Sequence, residues 1–97
     1  MTSDGSKTTV CRDLPIVNTR GLHARAAARF VQLAETFEAT ITVSRDQTTV
    51  DATSIMGLMM LAAGIGSSIR VTADGAQAEE AVDALAALVG NRFGEEE

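Results

Sequence analysis

ATITVSRDQTTVDA, residues 39–52, is the stretch that decides the architecture. Ala39, Ile41 and Val43 alternate with Thr40, Thr42 and Ser44, the period-two pattern of a half-buried strand. RDQ at 45–47 reads as a turn and TTVDA at 48–52 as a second short strand, so the pair is a predicted hairpin. One face of this hairpin is apolar and the other polar. A sheet that is wet on one side must be covered on the other, so helices are expected nearby in the chain.

They are found on both sides. Upstream, residues 24–37 have helical period: Ala27, Phe30, Val31 and Ala34 are spaced i, i+3, i+4, i+7, and Leu33 and Phe37 extend the stripe. Downstream, Thr53 or Ser54 can cap a short helix, SIMGLMML, through about Leu61, with Gly64 and Gly66 ending it. Further out, SSIRVTA at 67–73 alternates again, with Ile69, Val71 and Ala73 inward. DGAQAEE is a turn followed by an acidic first helical turn, which complements the helix dipole. The helix over 77–90 buries Ala78, Ala81, Val82, Leu85, Leu88 and Val89, and Gly90 can terminate it. At the other end, VCRDLPIV at 10–17 is the first strand. Pro15 cannot donate to a ladder, so this strand belongs at a sheet edge.

The order is β-α-β-β-α-β-α. It predicts an α+β fold in two layers, one mostly antiparallel sheet covered on one face by three helices. One domain is expected over residues 9–93, with a polar tail at 1–8 and an acidic tail at 94–97. The tail NRFGEEE is polar apart from Phe93.

Composition excludes several functions. Aromatic residues are 3% of the chain, so stacking on bases or sugars has almost no side chains to use. The net charge of −5 argues against non-specific nucleic-acid binding, which needs a basic face. No apolar run approaches the roughly 18 residues of a membrane span, and MTSDGSKTT is no signal peptide. The single cysteine, Cys11, allows no internal disulfide and fits a cytoplasmic setting. With one Cys and one His, a structural metal site is not expected.

TRGLHARAAAR, residues 19–29, holds that one histidine. The plain reading of His23 is an exposed polar residue or a cap. A second reading follows from its neighbours. Gly21 lets the backbone turn tightly, and the helix starting at Ala24 leaves its first N–H groups without intrahelical partners. Arg25 adds a rigid cationic fork. Together they form a small anion site at a helix N-terminus with an imidazole at its mouth. A neutral imidazole can attack a phosphoryl donor, and Ala24, Arg25 and Ala26 can then hold the phosphate. The short helix at 54–61 also has two readings. Its Met and Leu residues could all be core. Yet a helix apolar around much of its circumference cannot bury every face in a one-sided domain, which leaves members of Ile55, Met56, Met59 and Met60 exposed.

GLHAR, followed about thirty residues later by SIMGLMML, resembles HPr, the histidine phosphocarrier family of the bacterial phosphoenolpyruvate-dependent phosphotransferase system. The resemblance covers residues 9–93. It implies an open-faced sandwich with strand order 1-4-2-3, which places the Pro15 strand at an edge. It implies phosphorylation of His23 on Nδ1 by enzyme I, neutralisation of the phosphate by Arg25, and transfer to a histidine of an enzyme IIA. It makes Ser54 the counterpart of the serine that HPr kinase/phosphorylase modifies, against the plainer reading of an N-cap. It makes the 54–61 helix, with Arg20, Ile55, Met56, Met59 and Met60, the docking face for partner enzymes. It implies a monomer with no cofactor, a carrier and not an enzyme, in the cytoplasm.

Two departures from the family pattern stand out. Ala26 replaces the proline usual after the active-site arginine, which leaves one extra N–H donor at the helix start. Arg20, Gln32 and Glu35 look more like the nitrogen-related branch, whose chain of transfer ends in a regulatory enzyme IIA. Two other classes compete with the carrier. One is a regulatory binding module controlled through Ser54. The other is a small enzyme with a catalytic histidine, which an exposed helix end serves poorly for want of a pocket.

Overall fold

In a computed structural model the structure describes residues 9–94. The elements are β1 (Thr9–Pro15), α1 (Ala24–Ala34), β2 (Thr40–Arg45), β3 (Thr48–Asp51), α2 (Ile55–Met60), β4 (Ser68–Asp74), α3 (Ala78–Gly90) and a closing 3-10 turn at Arg92–Gly94. The four strands form one antiparallel sheet in the order β1-β4-β2-β3. The strand carrying Pro15 lies at an edge, where a missing N–H costs no ladder bond.

Alternation places each side chain. Leu14, Ile69, Val71, Val43 and Ile41 face the helices and are buried. Cys11, Asp13, Arg70 and Thr72 belong to the other, uncovered face, where Arg70 Nε donates to Asp13 Oδ1 at 2.8 Å and holds that carboxyl below its ordinary pKa. Cys11 is exposed there and accepts from Thr72 Oγ1. On the helix side, α1 contributes Ala26, Ala27, Phe30, Val31 and Ala34, and α3 contributes Ala78, Ala81, Val82, Leu85 and Val89. Leu33, Phe37 and Leu88 are only half-buried and pack on the margin of this core.

Several element ends differ from the sequence reading. β1 stops at Pro15, although Ile16 stays buried and is held by its N–H to Ser67 O (2.8 Å) and by Gly66 N–H to its carbonyl (3.1 Å). α1 ends at Ala34, and Phe37 is reached through a tighter turn in which Thr36 N–H bonds Leu33 O and Phe37 N–H bonds Ala34 O. α2 is not ended by Gly64 or Gly66. It stops at Met60, and Ala62 takes the left-handed conformation at φ +52°, a cost of about 1–2 kcal/mol for a residue with a Cβ.

α3 ends at Gly90, as expected from the sequence, with Asn91 as its C-cap. The chain then turns at Arg92 and Phe93, both at φ +56°. Phe93 is fully buried, so the C-terminal segment is a core element and not a polar tail, and Gly94 belongs to its turn. Two left-handed residues cost roughly 2–4 kcal/mol. Burying the ring returns up to about 3 kcal/mol, and a hydrogen bond from the Arg29 guanidinium to Phe93 O adds about 1.5–3. The tail predicted at 1–8, and residues 95–97 of the acidic tail predicted at 94–97, lie outside the described residues.

Removing the ring should therefore undo more than a surface contact. Phe93→Ala is expected to destabilise the fold by about 3–5 kcal/mol, read as a lower urea midpoint at unchanged slope. A loss under about 1 kcal/mol would show that the segment is not part of the core.

Candidate functional site

The loop between β1 and α1 is held by backbone and side-chain bonds. Gly21 N–H bonds Asn18 O at 3.2 Å, closing a turn over Asn18-Thr19-Arg20-Gly21. Asn18 is fully buried, and its Nδ2 donates to Gly21 O at 2.8 Å. The same carbonyl accepts from His23 N–H at 2.9 Å, making a three-residue turn about Leu22. Leu22 N–H then bonds Ala63 O at 2.9 Å, across to the segment that follows α2. Leu22 itself is buried, so the residue before His23 is anchored by both its side chain and its backbone.

Gly21 is required at its position. Its φ is +68°, and a Cβ there would sit 2.6 Å from Ala63 O and 2.9 Å from Gly64 Cα. The two loops can approach only because no side chain stands between them.

His23 is the N-cap residue of α1, with extended backbone at φ −78°, ψ 178°. Its side chain does not cap the helix, so the imidazole is not used for that purpose, and it is half-exposed. Ala27 N–H makes the first helical bond to His23 O at 2.8 Å. The N–H groups of Ala24, Arg25 and Ala26 therefore lack intrahelical acceptors at the helix end that His23 caps. Ala24, Arg25 and Arg20 are exposed, whereas the Ala26 methyl is fully buried. The helix starts at Ala24 without a proline, as the high helix propensity of alanine allows.

The second motif lies across the Leu22–Ala63 bond. Ser54 is the N-cap of α2, and its Oγ accepts from Gly57 N–H at 2.9 Å. Thr53 is not the cap. Its N–H and Oγ bond Asp51 Oδ1 at 2.8 and 2.6 Å, and these bonds, the hydroxyl's foremost, hold the Asp51 carboxyl below the ordinary aspartate range. Leu58 is the buried residue of α2. Met56 and Met60 are 74% and 72% exposed, and Ile55 and Met59 about 40%. An exposed apolar row of flexible methionines therefore stands beside α1, which packs against α2.

Asn18 and Ala63 were not singled out from the sequence. The signal for Asn18 was present: asparagine opens a turn and glycine closes it three residues on. Nothing local marks Ala63, because its role is a long-range bond. Among the described residues, no group of three His, Cys, Asp or Glu side chains could hold a metal ion, and no helix is long and apolar enough to cross a membrane.

Comparison with known proteins agrees with this fold. The family described as the PTS HPr component phosphorylation site matches residues 10–91. Phosphocarrier protein HPr of Cupriavidus necator is 56% identical over 86 residues, covering 89% of this chain and 97% of that protein. Phosphocarrier protein NPr of Shewanella violacea is 42% identical over 84 residues, covering 87% and 92%. Among solved structures, HPr from Thermoanaerobacter tengcongensis superposes with a TM-score of 0.86 at 43% identity, covering 91% of this chain and 99% of that one.

Two outcomes test the geometry. Gly21→Ala is expected to cost about 3 kcal/mol and to speed amide exchange at Leu22, since the Ala63 contact must open. Wild-type exchange at Leu22 would count against it. Asp51 has a folded-state pKa below its unfolded one, so its contribution is full above about pH 5 and lost as pH falls below about 4. Thr53→Val should flatten the loss of thermal stability in that acid window and leave the slope near neutral pH unchanged.

Proposed function

The chain belongs to the HPr family of phosphotransferase-system phosphocarriers, whose members carry a phosphoryl group and do not catalyse a turnover of their own; from that premise we propose that His23 is the carrying residue. The observation that supports it most is the placement of a half-exposed imidazole, unused as a cap, at the N-terminus of α1. In the accepting step the Nδ1 lone pair attacks phosphorus of phosphorylated enzyme I. The N–P bond forms as the bond to the donor atom breaks, and that electron pair leaves with enzyme I. The Ala24, Arg25 and Ala26 N–H groups and the Arg25 guanidinium stabilise the phosphate on the ring. Transfer to a histidine of an enzyme IIA reverses these roles. A carrier must release its group, and a site open to solvent stabilises it only moderately.

Docking falls to the exposed apolar row of Ile55, Met56, Met59 and Met60 with Arg20 beside the loop. Unbranched methionines can repack against successive partners. For the acceptor we take a regulatory, nitrogen-type enzyme IIA. Gln32 on α1 and Glu35, its C-cap residue, are both exposed, where sugar-system members often carry basic residues. No cofactor enters this scheme, and it takes place in the cytoplasm on a monomer.

A second reading rests on Ser54. Phosphorylation of this N-cap by an HPr kinase/phosphorylase would add roughly two negative charges where the helix end favours them. It would thus leave the fold in place and recharge the docking row. The two readings can coexist.

Intact-mass measurement after incubation with phosphoenolpyruvate and enzyme I separates them. Wild type should gain one acid-labile phosphoryl group and His23→Ala none, while Arg25→Ala should slow transfer by about a hundredfold. An unmodified wild type, beside an enzyme I that phosphorylates itself, would overturn the carrier reading and leave the serine-controlled module.

A further inference from the structure

Arg12 and Arg70 form exposed ion pairs with Asp83 and Asp13. Arg45 is employed differently. It is the last residue of β2 and half-buried, and its Nη1 donates to two backbone carbonyls, Leu61 O at 3.0 Å and Ala62 O at 3.3 Å. The first belongs to the C-cap residue of α2, a carbonyl the helix leaves over at the negative end of its dipole, and the second to the left-handed residue that follows it. α2 has six residues and no basic residue in its own last turn. A helix so short does not hold its shape alone. Its C-terminal cap comes instead from the sheet, as a charge-assisted bond.

The capped segment leads directly to the candidate site. Ala62 is left-handed, and Ala63, the next residue, gives its carbonyl to Leu22 N–H. One guanidinium thus holds the turn that has Met59 and Met60 on one side and the backbone before His23 on the other. A left-handed alanine persists only where its surroundings fix it, and Arg45 is the side chain bonded to that turn.

We propose that Arg45 is a positioning residue for phosphoryl transfer. By clamping the Leu61 and Ala62 carbonyls it keeps the methionine row and the His23 loop in one relative arrangement. A partner must seat on the row and meet the imidazole at the same time, so slack between the two lowers the productive fraction of encounters. The proposal rests on the carrier reading of His23.

The test compares wild type with Arg45→Met, which keeps the stem and removes the donors, and Arg45→Lys, which restores a cation. In the free protein, Arg45→Met should raise amide exchange at Leu22 and Ala62 about tenfold, the factor a charge-assisted hydrogen bond carries, and leave Val71 in the central strand unchanged. With enzyme I and phosphoenolpyruvate, its KM as phosphoryl acceptor should rise about tenfold with kcat changed far less, because loss of arrangement weakens productive docking first. Arg45→Lys should recover part of both. Wild-type exchange at Leu22 with wild-type KM would overturn the proposal. So would exchange raised equally at Val71, the mark of a purely structural arginine. If wild type accepts no phosphoryl group from an active enzyme I, the carrier reading falls and the transfer role with it. The exchange at Leu22 then reports separately whether the clamp exists.

Discussion

One hydrogen bond, from Leu22 N–H to Ala63 O, joins the two candidate segments of this protein. They are far apart in the chain and belong to different connections, one leading into α1 and one leading out of α2. The bond forms because Gly21 has no Cβ and its backbone is left-handed. Asn18, buried beneath, ties the other side of the loop to the same glycine carbonyl. With both partners fixed, His23 has little choice of position. It begins α1 with its carbonyl in the first helical bond, and its side chain makes no capping hydrogen bond.

Most of the fold was legible in the sequence, for a physical reason. Burial on one face imposes period two on strands and 3.6 on helices, and Ile41/Val43, Ile69/Val71 and Phe30/Val31/Ala34 obey those periods cleanly. The proline in VCRDLPIV even located an edge. The ends of elements were less legible. Gly90 does close α3, but Gly64 and Gly66 do not close α2, and left-handed turns fall at Ala62, Arg92 and Phe93, where tertiary contacts outweigh local preference. Phe93 illustrates the point: in a polar tail it reads as an exception, while in space it fills the space beside α1 and α3. At the candidate site the motif residues could be read, but the bonds that hold them could not. The Ala63 carbonyl and the Arg45 guanidinium act at long range and leave no local pattern.

The molecule also keeps apolar surface outside that its core could have used. Ile55, Met56, Met59 and Met60 are exposed in a chain with three Phe and no Trp or Tyr. A small domain has little stability to spare. It tolerates this row, and left-handed residues besides, because the rest of the core closes tightly under α1 and α3. The apolar surface left outside is offset by the compactness of everything beneath it.

The sheet order carries a consequence for synthesis. β4 lies between β1 and β2, so Thr9 pairs with Asp74 and the first strand meets its neighbour only after most of the chain exists. On a ribosome, α1 and the β2–β3 hairpin can form from local contacts as they emerge. β1 waits, its edge unpaired and Leu14 without its inward neighbours, until residue 74 has cleared the exit tunnel. The nascent chain therefore commits late and all at once. A ribosome stalled before β4 would hold a chain with no sheet interior, ready for chaperones or proteases.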